Sequence, residues 1–404
     1  MDNIQKIRIM HLITTLDVGG AEIMLEKLLA SIDSKKFSNH VVSLSSIGPV
    51  GKKIKELGVP THALLMPHGR ITLDGLVKLW QLIRSIRPTI LQTWLYHADF
   101  LGLLFGKCAG IPHICWNIRS SFIDLSKYRT TTRLVLKCCS FLSRLPSCII
   151  SNSNEAVNFH KNLGYKGKHW KVIHNGFDLS IYKPDVESKT YLIQQVLKNG
   201  QIAFTEINEP EKDTLDDGNL FIGYVARFDP MKDHHNFIEA AKILLKKITN
   251  VRFILTGRMV TWENNFFVEK IPFELKKYVY LLGERNDIPR ITPAFDIATS
   301  ASYGEGFPNI ICEAMACGVP CVVTEVGDCA EIVGETGIVV EPRNPEALAG
   351  GWLALIETGK DGRKNLGLTA RKRVLENFEL SRITRTYEEL YLSLVRDRVI
   401  GQTT

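Results

Sequence analysis

The sequence predicts an α/β protein that consists of two doubly wound, Rossmann-like parallel-sheet domains facing a central cleft. Short apolar runs alternate with stretches of helical periodicity along most of the 404 residues, which is typical of βαβ units. The apolar runs are continuous, as expected for parallel strands that are buried on both faces. Two such series are separated by the turn signal Asn175-Gly176, and this division predicts two domains of similar size.

In the first series, apolar runs predict the strands and a period near 3.6 predicts the helices between them. Strands are expected near 7–13, 40–45, 61–66, 89–94, 113–118 and 147–151. Helices are expected at 21–32, 50–57, 72–86, 97–108, 129–143 and 153–163. The series ends in KVIHNGFD at 171–178, where we expect the hinge between the domains.

The second series begins at LFIGYVA and is followed by a helical tail. Strands are expected at 220–226, 251–257, 279–283, 295–301, 321–325 and 337–342, and tail helices at 344–358, 361–377 and 380–398. Residues 185–218 are rich in acidic and turn residues, which predicts an exposed insertion. The predicted domains are residues 1–175, residues 176–385 and a terminal helix, 386–404, that packs back towards the first domain. Ligands of such sheets bind at the carboxyl ends of the strands.

Composition excludes several classes of protein. Hydrophobic residues make up 45% and charged residues 23%, which is typical of a globular protein and excludes a disordered or collagen-like chain. No uncharged apolar stretch reaches the roughly 18–20 residues of a spanning helix, and no secretory signal is visible. The nine cysteines form no CxxC pair, which is typical of thiols in a reducing compartment. We therefore expect a cytoplasmic protein.

The charge is unevenly distributed. The whole chain carries +7, but residues 1–175 carry +13 and the remainder carries −6. A basic half favours an anionic partner, such as membrane lipid or a phosphorylated acceptor. The alternative interpretation is that this half only has a basic, solvated face. Nucleic acid is not expected as a partner, because the chain lacks a recognisable reading element.

The strongest motif is GEGFPNIICEAMACGVP at 304–320. Glu305 and Glu313 are separated by seven residues, with Pro308 between them. Proline favours the first turn of a helix, so a helix beginning there would point the backbone N–H groups of Asn309 and Ile310 at an anion such as a diphosphate.

The two glutamates of this motif are expected to have different roles. Glu305 would lie in the loop before the helix, at the end of the preceding strand and in the cleft. Glu313 would lie about one and a half turns into the helix, where it can accept hydrogen bonds from the ribose hydroxyls. Gly306, which permits close approach of a ligand, and Phe307 are expected at the same binding site.

The motif resembles the glutamate–seven–glutamate signature of the family 4 retaining glycosyltransferases, whose two-Rossmann-domain fold is called GT-B. Three further stretches agree in order: GGAE at 19–22, VIHNGFD at 172–178 and VARFDPMKDH at 225–234. The resemblance covers about residues 7–395. It implies transfer of a hexose or N-acetylhexosamine from a nucleotide diphosphate sugar to a lipid-linked, lipopolysaccharide or polysaccharide acceptor, with the nucleotide sugar as substrate and no cofactor. It also implies that Glu305 lies beside the donor sugar and acts in catalysis.

Other predicted donor residues follow the first strand of each domain. Arg227 and Lys232 supply two cations that can neutralise a diphosphate, and the resemblance implies that they contact the donor phosphates. Gly19 and Gly20 lie in the first βα turn, which in the family borders the donor sugar and its phosphate. Glu22 is expected to cap the helix that follows.

At the expected catalytic position of the first domain, this chain differs from many members of the family. Many family members have a histidine after the fifth strand, where this chain has Asn117. His97, after the fourth strand, is the candidate that lines the sugar pocket instead. Asn117 and Arg119 are expected on the acceptor side.

The sequence also bears on metal binding and on membrane attachment. No aspartate–any–aspartate motif is present, so a bound metal is not expected. The segment 127–144 combines basic and apolar residues at helical spacing, which predicts a helix on an anionic membrane surface or, equally, a packed helix with a basic outer face. A sugar-nucleotide epimerase on the same fold and a non-enzymatic binding module remain the alternative functions.

Overall fold

The computed structural model describes residues 6–67, 70–119, 130–198, 215–216 and 218–401. The chain divides into two compact units, which we call the first unit, Met1–Gly176 with Leu380–Thr404, and the second unit, Phe177–Glu379. The first division therefore lies one residue after the expected one. The returning segment begins at Leu380 rather than at residue 386, because the terminal helix starts there.

The first unit contains a seven-stranded parallel sheet of order β3-β2-β1-β4-β5-β6-β7. Its strands are β1 Ile7–Ile13, β2 Phe37–Ser43, β3 Thr61–Ala63, β4 Ile90–Trp94, β5 His113–Ile118, β6 Cys148–Ser151 and β7 Trp170–Val172. Its first helices are α1 Gly20–Ser31, α2 Gly48–Glu56, α3 Leu73–Ile86, α4 Tyr96–Cys108, α5 Thr130–Leu142 and α6 Asn154–Asn162. The three-residue edge strand β7 was not predicted, because a run of this length has no measurable period.

Alternation along the strands builds two cores, one on each face of the first sheet. On β1, Met10 and Leu12 contribute to the core beneath α3, α4 and α5, whereas Ile9 and Ile13 contribute to the core beneath α1 and α2. Side chains begin two of these helices, since the Thr72 hydroxyl accepts from Gly75 N at 3.3 Å and the Ser153 hydroxyl accepts from Ala156 N at 3.0 Å.

The second unit contains a six-stranded parallel sheet of order β10-β9-β8-β11-β12-β13. Its strands are β8 Leu220–Val225, β9 Val251–Thr256, β10 Val279–Leu281, β11 Ile297–Ser300, β12 Cys321–Thr324 and β13 Gly337–Val340. Its helices are α7 Ser188–Lys198, α8 His234–Leu245, α9 Asn265–Lys270, α10 Phe273–Lys276, α11 Ile288–Ile291, α12 Asn309–Ala316, α13 Cys329–Val333, α14 Pro345–Glu357 and α15 Gly359–Asn377.

The prediction of an exposed insertion over 185–218 is wrong for its first part. Helix α7 occupies Ser188–Lys198, and its Leu192 and Val196 side chains are buried in the core of the second unit. These two residues are four apart, so they lie on one helix face, a signal that the acidic residues further along obscured. Residues 199–214 and 217 lie outside the described residues.

The terminal helix, α16 Leu380–Gly401, belongs to the first unit. Tyr387 and Tyr391 are fully buried in the same core as Ile9 and Ile13. The Tyr391 hydroxyl donates to the Gln92 carboxamide oxygen on β4, and the Glu388 carboxylate accepts from Asp33 N at 2.8 Å. The helix is therefore an integral layer of this unit.

Candidate active site

In each sheet the strand order reverses once, and such a point opens a crevice at the carboxyl ends of the two central strands. In the second unit these strands are β8 and β11, and in the first unit they are β1 and β4. Every candidate residue predicted on a loop of the second unit follows β8 or β11. The topology therefore brings Arg227, Lys232 and the Glu305 loop to one edge of one sheet.

The loop after β8 carries two cations, Arg227 and Lys232, which have different hydrogen-bond partners. The Arg227 guanidinium donates to Asp229 Oδ2 from Nε and Nη2, at 3.3 and 3.1 Å, and is more than half exposed. Asp229 Oδ1 accepts from Met231 N at 3.0 Å and so begins the 3₁₀ turn Pro230–Lys232. Burial acts to raise the pKa of Asp229, but the hydrogen bonds from Met231 N and Arg227 act more strongly in the opposite direction. The net effect is a pKa below the usual value of an aspartate. This carboxylate therefore fixes both the turn and the guanidinium.

Lys232 and Glu305 meet at the centre of this edge. The Lys232 ammonium donates to Glu305 Oε1, and both side chains are mostly buried. The Ser302 hydroxyl donates to the same oxygen at 2.6 Å, and Tyr303 N donates to Met231 O at 2.9 Å, which joins the two loops. The pair therefore combines two predicted site residues from neighbouring strands in one charge-assisted contact.

Behind the pair, a glycine fixes the Glu305 loop. Gly327, after β12, has φ +55°, and a Cβ there would lie 2.5 Å from the carbonyl oxygens of Glu305 and Gly306. Asp328 N donates to Gly306 O at 2.9 Å. Glycine is required because both the left-handed backbone and the close approach exclude a side chain.

Helix α12 begins directly after this loop. Pro308 is its N-cap and has no side-chain oxygen, so the cap is left without a side-chain acceptor. Asn309 is the first helical residue and the half-buried Ile310 packs on both cores of the unit. The Phe307 side chain is buried and packs against Phe177 and Phe378, with ring centroids 6.3 and 5.5 Å away. Phe307 thus stabilises the loop from the core side and does not present its ring to a ligand.

Glu313 lies in the second turn of α12 and hydrogen-bonds the Tyr182 hydroxyl. Burial, the Glu313 charge and this hydrogen bond all raise the pKa of Tyr182. Burial and the same carboxylate raise the pKa of Cys317, one turn further on, to about 12. The Glu313 carboxylate is therefore held by a tyrosine from the start of the second unit.

In the first unit, the turn after β1 is closed by a carboxylate. Gly19 is the extended N-cap of α1 and Gly20 its first residue. The Glu22 carboxylate folds back so closely that a side chain at Gly19 would overlap it. Burial raises the pKa of Glu22, while its own backbone N–H and Arg119 act against that rise. The carboxylate at the first turn agrees with the capping role expected for Glu22.

His97 follows β4 at the same edge. It lines a cavity of about 30 Å³ together with Thr14, Ser45 and Arg70, which come from the loops after β1, β2 and β3. Leu95, two residues earlier, has φ 72° and ψ 153°, a region that is costly for any residue other than glycine. Strain of about 1–3 kcal/mol at such a position is common at functional sites.

Asn117 and Arg119 are turned into the first unit. Asn117 is fully buried, and its Nδ2 donates to the Tyr387 hydroxyl at 3.2 Å. Arg119 donates from Nη2 to Asn175 Oδ1, and its guanidinium lies 5.6 Å from the Trp94 ring centroid. Burial lowers the pKa of Arg119, although Tyr387 and Glu22 oppose this. These contacts join β5 to the terminal helix, and they argue against Asn117 as a residue that touches an acceptor.

Three residues of this site were not selected from the sequence. Ser302, Gly327 and Tyr182 lie outside the quoted motifs, and their contacts with Glu305 and Glu313 depend on folding. Position after a strand was an available signal for Ser302 and Gly327. Tyr182 offered none, because it lies in an irregular segment.

Two family profiles match the chain. Residues 18–181 match the family described as Glycosyltransferase Family 4, and residues 219–358 match Glycosyl transferases group 1. The chain belongs to the group 1, family 4 glycosyltransferases. This glycosyltransferase is therefore an enzyme of the transferase class, and its GT-B fold agrees with the architecture predicted from the sequence.

Curated relatives and solved structures extend this comparison. The glycosyltransferase is 25% identical over 332 residues to the UDP-Gal:alpha-D-GlcNAc-diphosphoundecaprenol alpha-1,3-galactosyltransferase of Escherichia coli, covering 80% of each chain. It is 26% identical to the N,N'-diacetylbacillosaminyl-diphospho-undecaprenol alpha-1,3-N-acetylgalactosaminyltransferase of Campylobacter jejuni, covering 86% of this chain and 88% of that one. The crystal structure of Anabaena HepE in complex with UDP superimposes with a TM-score of 0.78 at 22% identity, over 96% of this chain and all of that one.

Among the described residues there is neither a metal-binding cluster nor a membrane-spanning helix. No group of three or more His, Cys, Asp or Glu side chains in the described ranges is arranged to hold a metal ion. Within the same ranges, no helix has the length and apolarity required to cross a membrane.

Proposed function

We propose that the second unit of this glycosyltransferase binds a nucleoside diphosphate sugar, with uridine as the base, at the carboxyl edge of β8 and β11. The observation on which this proposal rests is the Lys232–Glu305 pair at the switch point, directly before the start of α12. Further support is the UDP named for the Anabaena structure and the UDP-galactose named for the Escherichia coli relative.

The proposed chemistry is electrostatic. When the sugar leaves the diphosphate, negative charge develops on the phosphate oxygens. Lys232, Arg227 and the backbone N–H groups of Asn309 and Ile310 are the groups that would stabilise this charge. An ammonium has three N–H donors, so Lys232 can contact a phosphate oxygen while it still binds Glu305.

Glu305 is then the carboxylate that we assign to the sugar. Its contacts with Lys232 and Ser302 hold it in one orientation, in which the carboxylate would accept a hydrogen bond from a sugar hydroxyl. The same negative charge would balance positive charge at the anomeric carbon. We propose that transfer retains the anomeric configuration, as the resemblance to the family 4 retaining enzymes implies.

We propose that the first unit binds the acceptor. Both relatives named above act on a sugar linked to diphospho-undecaprenol, and the +13 charge of residues 1–175 suits an anionic lipid-linked glycan. Gly19 and Gly20 would permit close approach of the reacting sugar. His97 would line the pocket, since it already faces the cavity beside Thr14, Ser45 and Arg70.

The division of labour between the glutamates can be measured. Glu313→Ala should weaken binding of UDP itself, because the ribose hydroxyls lose their acceptor, whereas Glu305→Gln should lower turnover more than UDP affinity. Calorimetry with UDP on both variants tests this. UDP affinity that is unchanged in Glu313→Ala but reduced in Glu305→Gln would reverse the assignment.

The whole proposal is tested by a thermal-shift screen of nucleoside diphosphates and their sugars, followed by transfer to a lipid-linked acceptor. We expect stabilisation by UDP and UDP-sugars and a product that forms only with the acceptor. Conversion of the UDP-sugar without acceptor would favour an epimerase, and binding without any conversion would favour a non-enzymatic module.

We also propose that transfer needs no metal and takes place on the inner face of a membrane. Cations and backbone N–H groups would replace a metal at the diphosphate, so transfer should persist in excess chelator. Loss of transfer in chelator, restored by Mg²⁺ or Mn²⁺, would overturn the first claim. Attachment would be peripheral and sensitive to salt, because the attraction of exposed charges is screened within about 8 Å at physiological ionic strength.

Of the basic residues that suggested this attachment, Arg133 and Lys137 lie on α5 and are exposed. Lys127 and Arg129 lie outside the described residues.

A further inference from the structure

Helices α3, α4 and α5 cover one face of the first unit's sheet side by side. Their inner side chains, among them Leu79, Leu101 and Cys139, are buried in one core against β1, β4 and β5. Helix α4 contacts both of its neighbours. The outer sides of the three helices therefore form one continuous surface, which we call the outer face.

On α3 the outer face is apolar. Leu73, Val77 and Trp80 are exposed and recur at i, i+4 and i+7, so they form one stripe along the helix. A helix packed on a sheet normally presents polar residues at these positions. The Trp80 ring contacts the edge of the Phe105 ring with centroids 6.4 Å apart, and the exposed Leu104 continues the stripe on α4.

Helix α5 adds two further apolar side chains. Leu134 and Phe141 are seven residues apart, hence on one side of the helix, and Phe141 is 86% exposed. Single exposed apolar residues are ordinary on a protein surface. A set that extends over three adjacent helices is an interaction patch.

The same face is strongly basic. Its cations are Lys78, Arg84, Lys107, Arg133, Lys137 and Arg144. Within the described residues of the three helices the acids are Asp74, which pairs with Lys78 at 2.7 Å, and Asp99, which is buried. The Arg84 guanidinium lies 5.8 Å from the Trp80 ring centroid, so charge and apolar surface are interleaved.

We propose that the outer face binds an anionic lipid bilayer, with Trp80, Leu73, Val77 and Phe141 entering the interface between headgroups and acyl chains. Tryptophan favours this depth, and cations above it attract anionic lipid. A second copy of the chain is disfavoured as the occupant, because it would bring two basic faces together. The inference deepens the peripheral attachment proposed above and identifies the surface responsible.

The test is cosedimentation with phosphatidylcholine vesicles, with or without a minority of phosphatidylglycerol. The test variant combines Leu73→Glu with Val77→Glu, whose side chains are 78% and 47% exposed. The matched control combines Leu368→Glu with Leu375→Glu on α15, which are 53% and 50% exposed and add the same charge. We expect the test variant to bind phosphatidylglycerol vesicles on the order of tenfold more weakly, since two apolar insertions are lost. The control should bind within about twofold of the wild type.

A second measurement does not depend on variants. Cys108 is the exposed cysteine at the end of α4, and the other eight cysteines are buried or partly buried. A polarity-sensitive fluorophore attached there should shift to shorter wavelength on phosphatidylglycerol vesicles. Brominated lipid should quench Trp80, and Trp80→Phe should abolish that quenching.

Three outcomes would overturn the inference. These are equal binding by the test and control variants, no binding of the wild type to either vesicle, and self-association that the test variant abolishes. Transfer to a short, water-soluble acceptor distinguishes this inference from the proposed function. The test variant should retain that activity, and absence of transfer by the wild type would refute the proposed function while the vesicle result stands.

Discussion

The carboxyl edges of the two sheets differ in what their polar residues contact. In the second unit, Lys232 and Glu305 bind each other across two neighbouring loops at the switch point of the sheet. In the first unit, Asn117 is the penultimate residue of β5 and Arg119 directly follows that strand, yet they point inward and bind Tyr387 and Asn175. A strand's end is therefore a good indicator of where a ligand can bind and a poor indicator of which side chain reaches it.

The difference has a physical cause. The first unit gains an additional helix, α16, whose buried tyrosines need hydrogen-bond partners near the ends of β4 and β5. The polar residues near those strand ends form hydrogen bonds with these tyrosines, because an unpaired buried polar group costs about 1–3 kcal/mol. At the β8–β11 edge the charged side chains Lys232 and Glu305 instead bind each other, and the Ser302 hydroxyl donates to the same carboxylate.

The largest effect that this comparison predicts is on turnover. Lys232→Ala should lower kcat about 100- to 1000-fold, because one preorganised cation is removed from the leaving phosphate. The matched control is Lys242→Ala, whose ammonium pairs with Glu239 at 2.7 Å on α8. Steady-state transfer assays check this prediction, and comparable rates in the two variants would contradict it.

A smaller loss of activity should follow from a substitution that displaces the Glu305 loop but keeps the glutamate itself. Gly327→Ala places a methyl group against the carbonyl oxygens of Glu305 and Gly306, so the loop must shift. A displacement near 1 Å of a catalytic group can cost about 100-fold in rate. Gly350→Ala is the control, because a Cβ there meets nothing within 4 Å. Wild-type kcat in Gly327→Ala would show that the loop tolerates displacement.

One buried titratable group in each unit should make folding stability depend on pH, and the two groups should act in opposite directions. Burial lowers the pKa of His234, in the second unit, to about 4, so the unfolded chain binds the proton first and stability falls as the pH drops below about 6.5. Burial raises the pKa of Asp99, in the first unit, so its contribution to stability is lost as the pH rises.

This prediction is checked by urea unfolding of wild type, His234→Phe and Asp99→Asn at pH 7 and pH 5. Between these pH values the stability of His234→Phe relative to wild type should increase by about 2 kcal/mol. That of Asp99→Asn should change in the opposite direction. Parallel pH dependence in all three proteins would exclude both groups as its source.

The smallest effect should be one on stability alone. Tyr387→Phe removes the hydroxyl that accepts from Asn117 Nδ2, which costs about 1–2 kcal/mol at a buried site. If Asn117 is structural, the unfolding temperature should fall while kcat and KM for the acceptor stay unchanged. A selective rise in acceptor KM would return Asn117 to the acceptor site.

Much of this organisation was predictable from the sequence. The strand and helix order follows from periodicity, and the Glu305 loop and the start of α12 follow from the position of Pro308. The short strand β7 and the helix α7 were not predictable, since three residues have no period and an acidic neighbourhood obscured Leu192 and Val196. The inward orientation of Asn117 depends on Tyr387, which lies 270 residues away, and no local pattern indicates such a contact.

The placement of α16 has a consequence for biosynthesis. All of the second unit, Phe177–Glu379, lies between the two segments that build the first unit. On the ribosome, the second unit can therefore fold while the first still lacks the helix that covers Trp94, Ile9 and Ile13. The N-terminal half of this enzyme would be the last to mature, and a chaperone that binds exposed apolar strands would find its target there until Tyr387 and Tyr391 emerge.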